Sequence, residues 1–588
     1  MTSVTRDESE RAEGAAWRHA AWVFGLAFAL RLAFWTATPD RSWPGSAWYD
    51  GDARGWIAWA SALHEGAEYE QGLPFRPPGA AYAIAWLARG EPRDAIGWLK
   101  VAWCALGALA AALFGESARR GFGAGVGLAV GLACAASTAL MVLSTSLNNE
   151  TPYLVLVAAT LATWGAVRDG RGGWRLWAWG ALHGLACLVR VEHALVFAAM
   201  TALAAAGWWR AVGVRGASVR GVGVVAAALV TLVPWHLEAW SAIRRFNDAP
   251  RPPDVVALAN RAQMERALAG ASWSDGARAE LAAMPAATRD TVRFFVAATA
   301  LTRGISTIEP GLPAAILDEA FGYVPRPLPA HPFVSLYGPL NFYLGNHGLG
   351  SGGFDRSPLD RPPRLAGGAE RYPRMMVAGL PPPELALTYP PHLRAVEEGY
   401  RLGFEWIRAN PGDFARLAAR KLAIAWDGAA LGVGGYDAPL GFEGGRRSVD
   451  LAVPDGALAT SWRVALLVLA LAGVCVGLAT RRAALAPWLA YGASKVAVTI
   501  GFFGYARQGA SAVPVVAVLA ALAVAPLVRR EATRKGIVRL AVLCSALVLG
   551  AEGWRWLRPP IVLLDGRVAG ELDPLAGQDP RDVTVRVR

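Results

Sequence analysis

Charge is scarce in this chain. Asp, Glu, Lys and Arg make up 18% of its 588 residues, against about 25% in soluble globular chains. That excludes an ordinary water-soluble protein, and a hydrophobic share of 54% excludes a disordered one. Cysteine is scarce too. Cys104, Cys134, Cys187, Cys475 and Cys544 all fall in apolar runs, with no CxxC pair. They read as free, lipid-buried thiols, and the segments between the runs hold no cysteine for a disulfide framework. The motifs of soluble enzymes are missing: no P-loop, HExxH, GxSxG or zinc-ligand spacing occurs. A cleavable leader does not read out. The first apolar run starts near Trp17, is too long, lacks an A-x-A-like site, and is expected to stay as a signal anchor.

What is present is apolar sequence, with a mean hydropathy of +0.30. Runs of about 20 such residues are long enough to cross a bilayer. The expected fold class is an all-α polytopic membrane protein with about eleven transmembrane helices. The spans read as 17–38, 96–114, 122–142, 151–167, 174–188, 194–208, 221–236, 459–479, 484–503, 510–528 and 537–552. Those at 174–188 and 194–208 are short and interrupted by Arg190, Glu192 and His193, so tilted or re-entrant forms stay open. The run Gly121, Gly123, Gly125, Gly127, Gly131 reads as small residues that let helices approach closely.

The formal charge of +12 is a topology signal, with no nucleic-acid partner implied. With a cytoplasmic N-terminus, one set of loops carries Arg119 and Arg120, then Arg168, Arg171 and Arg175, then Arg210, Arg215 and Arg220. Arg481 and Arg482, then Arg529, Arg530, Arg534 and Lys535, fall on that side too. The short opposite loops hold only Arg190 or Arg507, although Arg41 and Arg93 flank the first outer loop. The domains expected are a transmembrane module 1–236 with an outer loop 39–95, a mostly helical extracytoplasmic domain 237–458, helices 459–552 and an outer tail 553–588. The tail's closing Val-Thr-Val-Arg-Val-Arg alternates as a strand does. Heavy use of Ala, Gly, Arg and Trp fits a GC-rich bacterial source, hence an inner (plasma) membrane.

The first outer loop is the informative place. After Tyr49-Asp50-Gly51-Asp52, the residues Trp56, Trp59, Ala60 and Leu63 form one helical stripe. An interfacial helix with tryptophans at headgroup level is expected, holding the Asp52 carboxylate at the membrane surface. Asp50 or Asp52 also reads as a plain helix N-cap. Phe75-Arg76-Pro77-Pro78-Gly79 follows, where Arg76 reads either as a bidentate phosphate ligand or as a snorkelling surface arginine. Glu150 stands at the start of a span, where the helix dipole alone favours an acid. Arg190-Val191-Glu192-His193 interrupts apolar sequence. Ionisable residues there are functional candidates, or a pair that satisfies itself.

This arrangement resembles the GT-C superfamily of membrane glycosyltransferases, in the branch of protein O-mannosyltransferases and the lipid A aminoarabinose transferase. That branch carries an early D-E-x-x-Y-x-x-x-A-x-x-L pattern. Asp52, Trp56, Ala60 and Leu63 occupy its steps, with Ala53 where the second acid is often found and Asp50 as a possible substitute. Pro77-Pro78-Gly79, the Ser146…Glu150 turn and Leu188-x-Arg190-x-Glu192 match further family steps. Asn341 to His347 with Gly350 to Phe354 is similar to an N-F-x-x-G-N stretch. Tyr400 to Trp426 looks like a helix pair, and Tyr505-Ala506-Arg507 with Pro514 resembles a late outer turn.

The resemblance implies a polyprenyl-phosphate-linked sugar as donor and a protein, lipid A or glycan as acceptor. Asp52 would be general base, and Arg76, Arg190 and Arg507 would bind the leaving phosphate. Glu150, Glu192, Asn341, Asn346, His347 and Lys421 would support the site, the Asn341–His347 stretch capping it unless it is a plain turn. Some members use a divalent metal, for which Asp50, Asp52 and Glu150 are the oxygen donors available. The segment 394–426, with Arg416, Arg420, Lys421 and Trp426, reads as an interfacial helix on headgroups or on the donor phosphate. Competing readings are a flippase or transporter, a polysaccharide polymerase or ligase, and an assembly subunit. The span centres read as nearly free of charge, which favours outer-surface chemistry over translocation.

Overall fold

A computed structural model describes residues 6–36, 52–69, 72–169, 173–251, 268–329, 332–348, 350–353, 358–359, 385, 387–431, 437–439, 448–451, 457–530, 562–564, 567–568 and 585–587. Asp50 and the eleventh expected span, 537–552, lie outside the described residues.

Helices run along every other expected span. They are α1 (Arg6–Thr36), α4 (Ile96–Phe122), α5 (Ala124–Ala136) with α6 (Thr138–Thr145), α7 (Glu150–Arg168), α8 (Trp174–Val189) and α9 (His193–Asp248). Before α4 lie α2 (Asp52–Glu65) and α3 (Gly79–Ala88). Among the described residues five helices are long and apolar enough to cross a membrane, six if the pair α5–α6, bent by 55°, is one span. Among the described residues this does not confirm eleven spans. Helix α8 has only 16 residues, and the spans expected at 194–208 and 221–236 share α9, which breaks at Gly213 (φ 73°, ψ 175°). The glycine run does not lie within one helix either. Gly121 lies in the last turn of α4, Gly123 (φ 104°) makes the break, and a Cβ at Gly127 would meet the Gly115 carbonyl oxygen at 2.8 Å.

The second half holds α10 (Asp275–Ala282), α11 (Arg289–Thr302), α12 (Leu312–Phe321), α13 (Tyr337–Gly345), α14 (Pro390–Ala409) and α15 (Pro411–Ala430). Then follow α16 (Ala457–Thr480), α17 (Arg482–Gly501), the short α18 (Ala506–Ala510) and α19 (Val513–Arg530). The segment 394–426, read as one interfacial helix on its charges and as a helix pair on the resemblance, is two helices. Pro411 has no amide hydrogen to continue α14 but starts α15 at no cost, so the chain turns at Asn410. The closing residues do form a strand, Val585–Val587. It pairs in parallel with Ser448–Leu451 and antiparallel with Val562–Leu564, within a five-stranded sheet.

Three apolar clusters hold the described fold. One fills the bundle of α1, α4, α5, α7 and α17 and is built largely on alanine. A second, rich in phenylalanine, joins α11, α12 and α14. The third holds α2 and α3 onto the bundle through Trp56, Trp59, Ile84, Trp103 and Trp235. This third cluster corrects the expectation for α2. Trp56 and Trp59 are buried in protein, where they stack on each other and on Tyr69. The stripe faces the neighbouring helices, and headgroup contact is not its use.

The sequence reading had the span centres as nearly free of charge, and Lys495 falls near one of them. Arg31, Lys100 and Lys495 are all buried within helices. For Arg31 the reason is local. The bend between α5 and α6 leaves carbonyl groups without helical partners, and Arg31 donates to the Cys134 and Ala135 oxygens at 3.2 and 3.3 Å and to Ser144 Oγ at 3.1 Å.

Candidate active site

The chain brings Asp52, Arg76, Glu150, Arg190, Glu192 and Arg507 to one place. Asp52 opens α2, where the positive end of the helix dipole favours an acid. Its side chain is not spent on capping alone. Arg76 donates to Oδ1 at 3.2 Å, and Arg507 donates to Oδ2. Arg76 stands before the Pro77-Pro78 step, and Gly79 then starts α3 against the end of α8. A Cβ at Gly79 would meet the Leu188 carbonyl oxygen at 2.9 Å. The Arg76 guanidinium lies 5.4 Å from the ring centres of both Trp56 and Tyr337, so two π-faces fix its plane.

Glu150 begins α7, after the buried turn Ser146–Asn149. Leu147 takes φ 54° in that turn, a left-handed value that costs a non-glycine residue about 1 kcal/mol or more. The turn is held where Trp103 donates to the Asn148 carbonyl at 2.9 Å. Glu150 has no exposed surface. One of its oxygens accepts from Arg190 and lies 3.7 Å from Arg507 Nε, while the other has no hydrogen-bond partner among the described residues. Arg190 sits in extended backbone between α8 and α9 and also donates to Glu192. Lys495 of α17 lies 3.5 Å from Glu192 and 4.6 Å from the ring centre of Tyr153.

Three carboxylates thus interlock with three arginines and a lysine, a formal excess of one positive charge. Burial disfavours the ionised form of Asp52, but Arg507 and then Arg76 outweigh it and hold the carboxyl down at about 2. The same contest at Glu192, won by Arg190 and then Lys495, leaves it at about 2. This donor set does not fit a divalent metal. Both Asp52 oxygens and one Glu150 oxygen already face guanidiniums, and a dication would add to an excess of positive charge. Among the described residues no three His, Cys, Asp or Glu side chains gather to hold a metal ion. No step is derived through one.

The other expected residues form a separate brace. Asn346 follows α13 and donates to the Phe342 and Gly501 oxygens, each at 2.7 Å. Lys421 donates to Asn346 Oδ1 at 2.9 Å and to the Ile500 oxygen at 3.0 Å. It is fully buried, so it does not rest on headgroups, one of the two uses the sequence reading gave its segment. Burial pushes its amine down to about 8. His347 is buried beside Asn346, and Asn341 is half-buried on α13. This brace holds the segment that leads to Arg507. The helices behind it touch at glycines: a Cβ at Gly509 would collide with the Ala425 carbonyl, and one at Gly428 with the Ala506 carbonyl.

Sequence reasoning missed Lys495, Tyr153 and Tyr337. Lys495 left a signal, a lysine in the middle of an expected span. Tyr337 left none, because only the fold brings it to Arg76. A hydrogen-bonded chain also runs inward from Tyr153, whose hydroxyl lies 3.2 Å from His193 Nδ1. His193 Nε2 is in turn 2.7 Å from His183 Nδ1.

Residues 76–235 match the family model described as dolichyl-phosphate-mannose-protein mannosyltransferase. That match covers residues 76–235 of the 588, so the likeness is to part of the chain. The matched segment holds Arg76, Glu150, Arg190 and Glu192, whereas Asp52 and Arg507 lie outside it. Two solved structures are similar. One is the archaeal oligosaccharyltransferase AglB from Archaeoglobus fulgidus in complex with an inhibitory peptide and a dolichol-phosphate, at 12% identity and a TM-score of 0.41, covering 92% of this chain and 55% of that one. The other is an Archaeoglobus fulgidus oligosaccharyltransferase tethered to an acceptor peptide containing the NVT sequon, at 12% identity and a TM-score of 0.39, covering 90% and 54%. The chain spans about half the length of those proteins. Among curated proteins nothing matches.

Proposed function

We propose that this multi-pass membrane protein is a glycosyltransferase that moves a sugar from a polyprenyl-phosphate donor to an acceptor hydroxyl at the outer face of a bacterial inner membrane. The acceptor is a protein, lipid A or a growing glycan. The observation that carries the reading is Asp52, a carboxylate gripped by Arg76 and Arg507 beside the Arg190–Glu150 pair, where the membrane helices end.

In this reading the acceptor oxygen attacks the anomeric carbon and the bond from that carbon to the phosphate oxygen breaks. The phosphate leaves with the bonding electrons, and Asp52 takes the acceptor proton. A carboxyl held at about 2 is a poor base near neutral pH. The arginines resolve this. A donor phosphate competes with Asp52 for Arg76 and Arg507, and as they turn to the phosphate the carboxylate loses the charges that depress its basicity. Base strength then arrives together with donor, which protects the site from idle hydrolysis. Asn346 and Lys421 would serve by holding the Arg507 segment, and Glu192 with Lys495 by fixing Arg190.

Incubating the purified protein with a lipid extract from cells lacking it tests the reading. A lipid-linked sugar should be consumed and the polyprenyl phosphate released. Movement of that lipid across sealed vesicles with no sugar consumed would show a flippase instead.

A further inference from the structure

At the opposite end of the bundle lies a cavity of about 1460 Å³. Its position follows from α7, which begins at Glu150 in the carboxylate cluster and ends at Arg168 on the cavity rim. Eighteen steps at about 1.5 Å put the two roughly 27 Å apart, close to the hydrocarbon thickness of a bilayer, about 30 Å. The rim carries Arg119, Arg120, Arg168, Arg175, Arg481 and Arg482 against only Glu116 and Asp169, a formal excess of four positive charges. Behind the rim the wall is apolar, with Phe24, Leu113, Leu161 and Leu182. Trp174, a lining residue that is 74% exposed, stands at the depth where tryptophan meets headgroups.

A loop arginine that only sets topology needs neither a cavity nor a particular place on a helix. These have both. Glu116 pairs with Arg119 and Arg120, and Asp169 with Arg168. Arg175, Arg481 and Arg482 are exposed and make no ion pair among the described residues. Arg175 sits in the first turn of α8, Arg481 caps α17 and Arg482 is its first residue. Cations at helix N-termini oppose the helix dipole, so helix stability does not explain them. An anion seated among them would meet guanidiniums and helix amides together.

We propose that this cavity binds an anionic phospholipid of the leaflet opposite the carboxylate cluster. The phosphate lies among Arg175, Arg481 and Arg482, and the acyl chains lie along the Phe24–Leu113–Leu182 wall. An apolar wall continuous with a cationic rim fits a lipid better than a soluble phosphate, which would leave the wall unused.

The test uses the full-length protein, exchanged into nanodiscs of phosphatidylglycerol and phosphatidylcholine and then released for native mass spectrometry. The wild type should retain phosphatidylglycerol at least about tenfold over phosphatidylcholine. The double variant Arg481→Gln/Arg482→Gln should lose about 25-fold in that retention, at about fivefold per arginine near an anionic surface. Arg303→Gln, on the outer domain, should lose none. Should the double variant fail to fold, Arg175→Gln replaces it with an expected fivefold loss, and the wild-type preference is read in either case. Equal retention of the two lipids, or no change in a folded variant, would overturn the proposal. Displacement of the lipid by millimolar inorganic phosphate would also overturn it, making this a phosphate site.

Discussion

The two ends of the helix bundle are both rich in arginine, and they use it in opposite ways. At the Asp52 end Arg76, Arg190 and Arg507 are largely buried, and each grips a carboxylate. At the other end Arg175, Arg481 and Arg482 are exposed around a cavity whose two lining acids among the described residues, Glu116 and Asp169, pair with other arginines. Burial decides the difference. An unpaired charge at the first place would cost several kcal/mol, so the acids are obligatory there. At the second, water solvates the guanidiniums and no partner is required. A ligand of the Asp52 end must break existing ion pairs before it binds. A ligand of the other end only adds to what is there.

The comparison can be broken at the interlocked end first. Arg507→Gln leaves Asp52 without its closer partner and the phosphate without a ligand, so sugar transfer should fall by about 100-fold or more. Arg76→Gln should fall less, about tenfold, because its contact to Asp52 is longer at 3.2 Å. Equal losses would mean that the two arginines share one task. The backbone behind Arg507 is the next lever. Gly509→Ala drives a methyl group into the Ala425 carbonyl, which should cost about 1–3 kcal/mol and lower the thermal midpoint of unfolding. An unchanged midpoint would show that the α15–α18 contact is looser than described.

The inner pair sharpens the contrast. Lys495→Met leaves Glu192 with Arg190 alone, and Glu192→Gln leaves two cations facing each other. In a double-mutant cycle on stability the two should couple by about 0.5–3 kcal/mol. Arg175→Gln and Arg482→Gln, across the membrane, should each stay within about 0.5 kcal/mol of wild type in detergent. A coupling near zero for Lys495 and Glu192 would remove the distinction between the two ends.

The smallest effect concerns pH. The Lys421 amine titrates near 8 in the fold, below its ordinary 10.5, because burial disfavours the charged form. Between those values the unfolded chain holds a proton that the folded chain has released, so stability rises with pH across that window. Below it the full cost of the buried charge is present. Thermal unfolding followed from pH 7.5 to 9.5 should show a rise in wild type that Lys421→Met lacks. Equal slopes in the two proteins would contradict it.

Much of this could be read from residue order. The helices follow apolar runs, and Asp52, Arg76, Glu150, Arg190, Glu192 and Arg507 were legible as charged residues at span edges. What local pattern cannot report is which way a face turns. The Trp56–Trp59 stripe reads the same whether it meets headgroups or Trp235, and Lys421 reads the same whether it rests on lipid or donates to Asn346. Nor does spacing show that Asp52 and Arg507, 455 residues apart, share an ion pair. Lys495 was readable but was passed over, because a run that is apolar on average hides one charge. The bends at Gly123 and Ser137, by contrast, explain a charge that periodicity leaves unexplained: Arg31 answers the carbonyls that the second bend frees.

Asp52 is the test of the whole account. A strain deleted for this protein would be complemented with wild type or Asp52→Asn at matched expression, and its polyprenyl-phosphate sugars and envelope glycans read by mass spectrometry. A lipid-linked sugar should accumulate in the deletion and in Asp52→Asn, with one glycan losing that sugar in both. Full rescue by Asp52→Asn would reduce Asp52 to the first residue of a helix and contradict the mechanism.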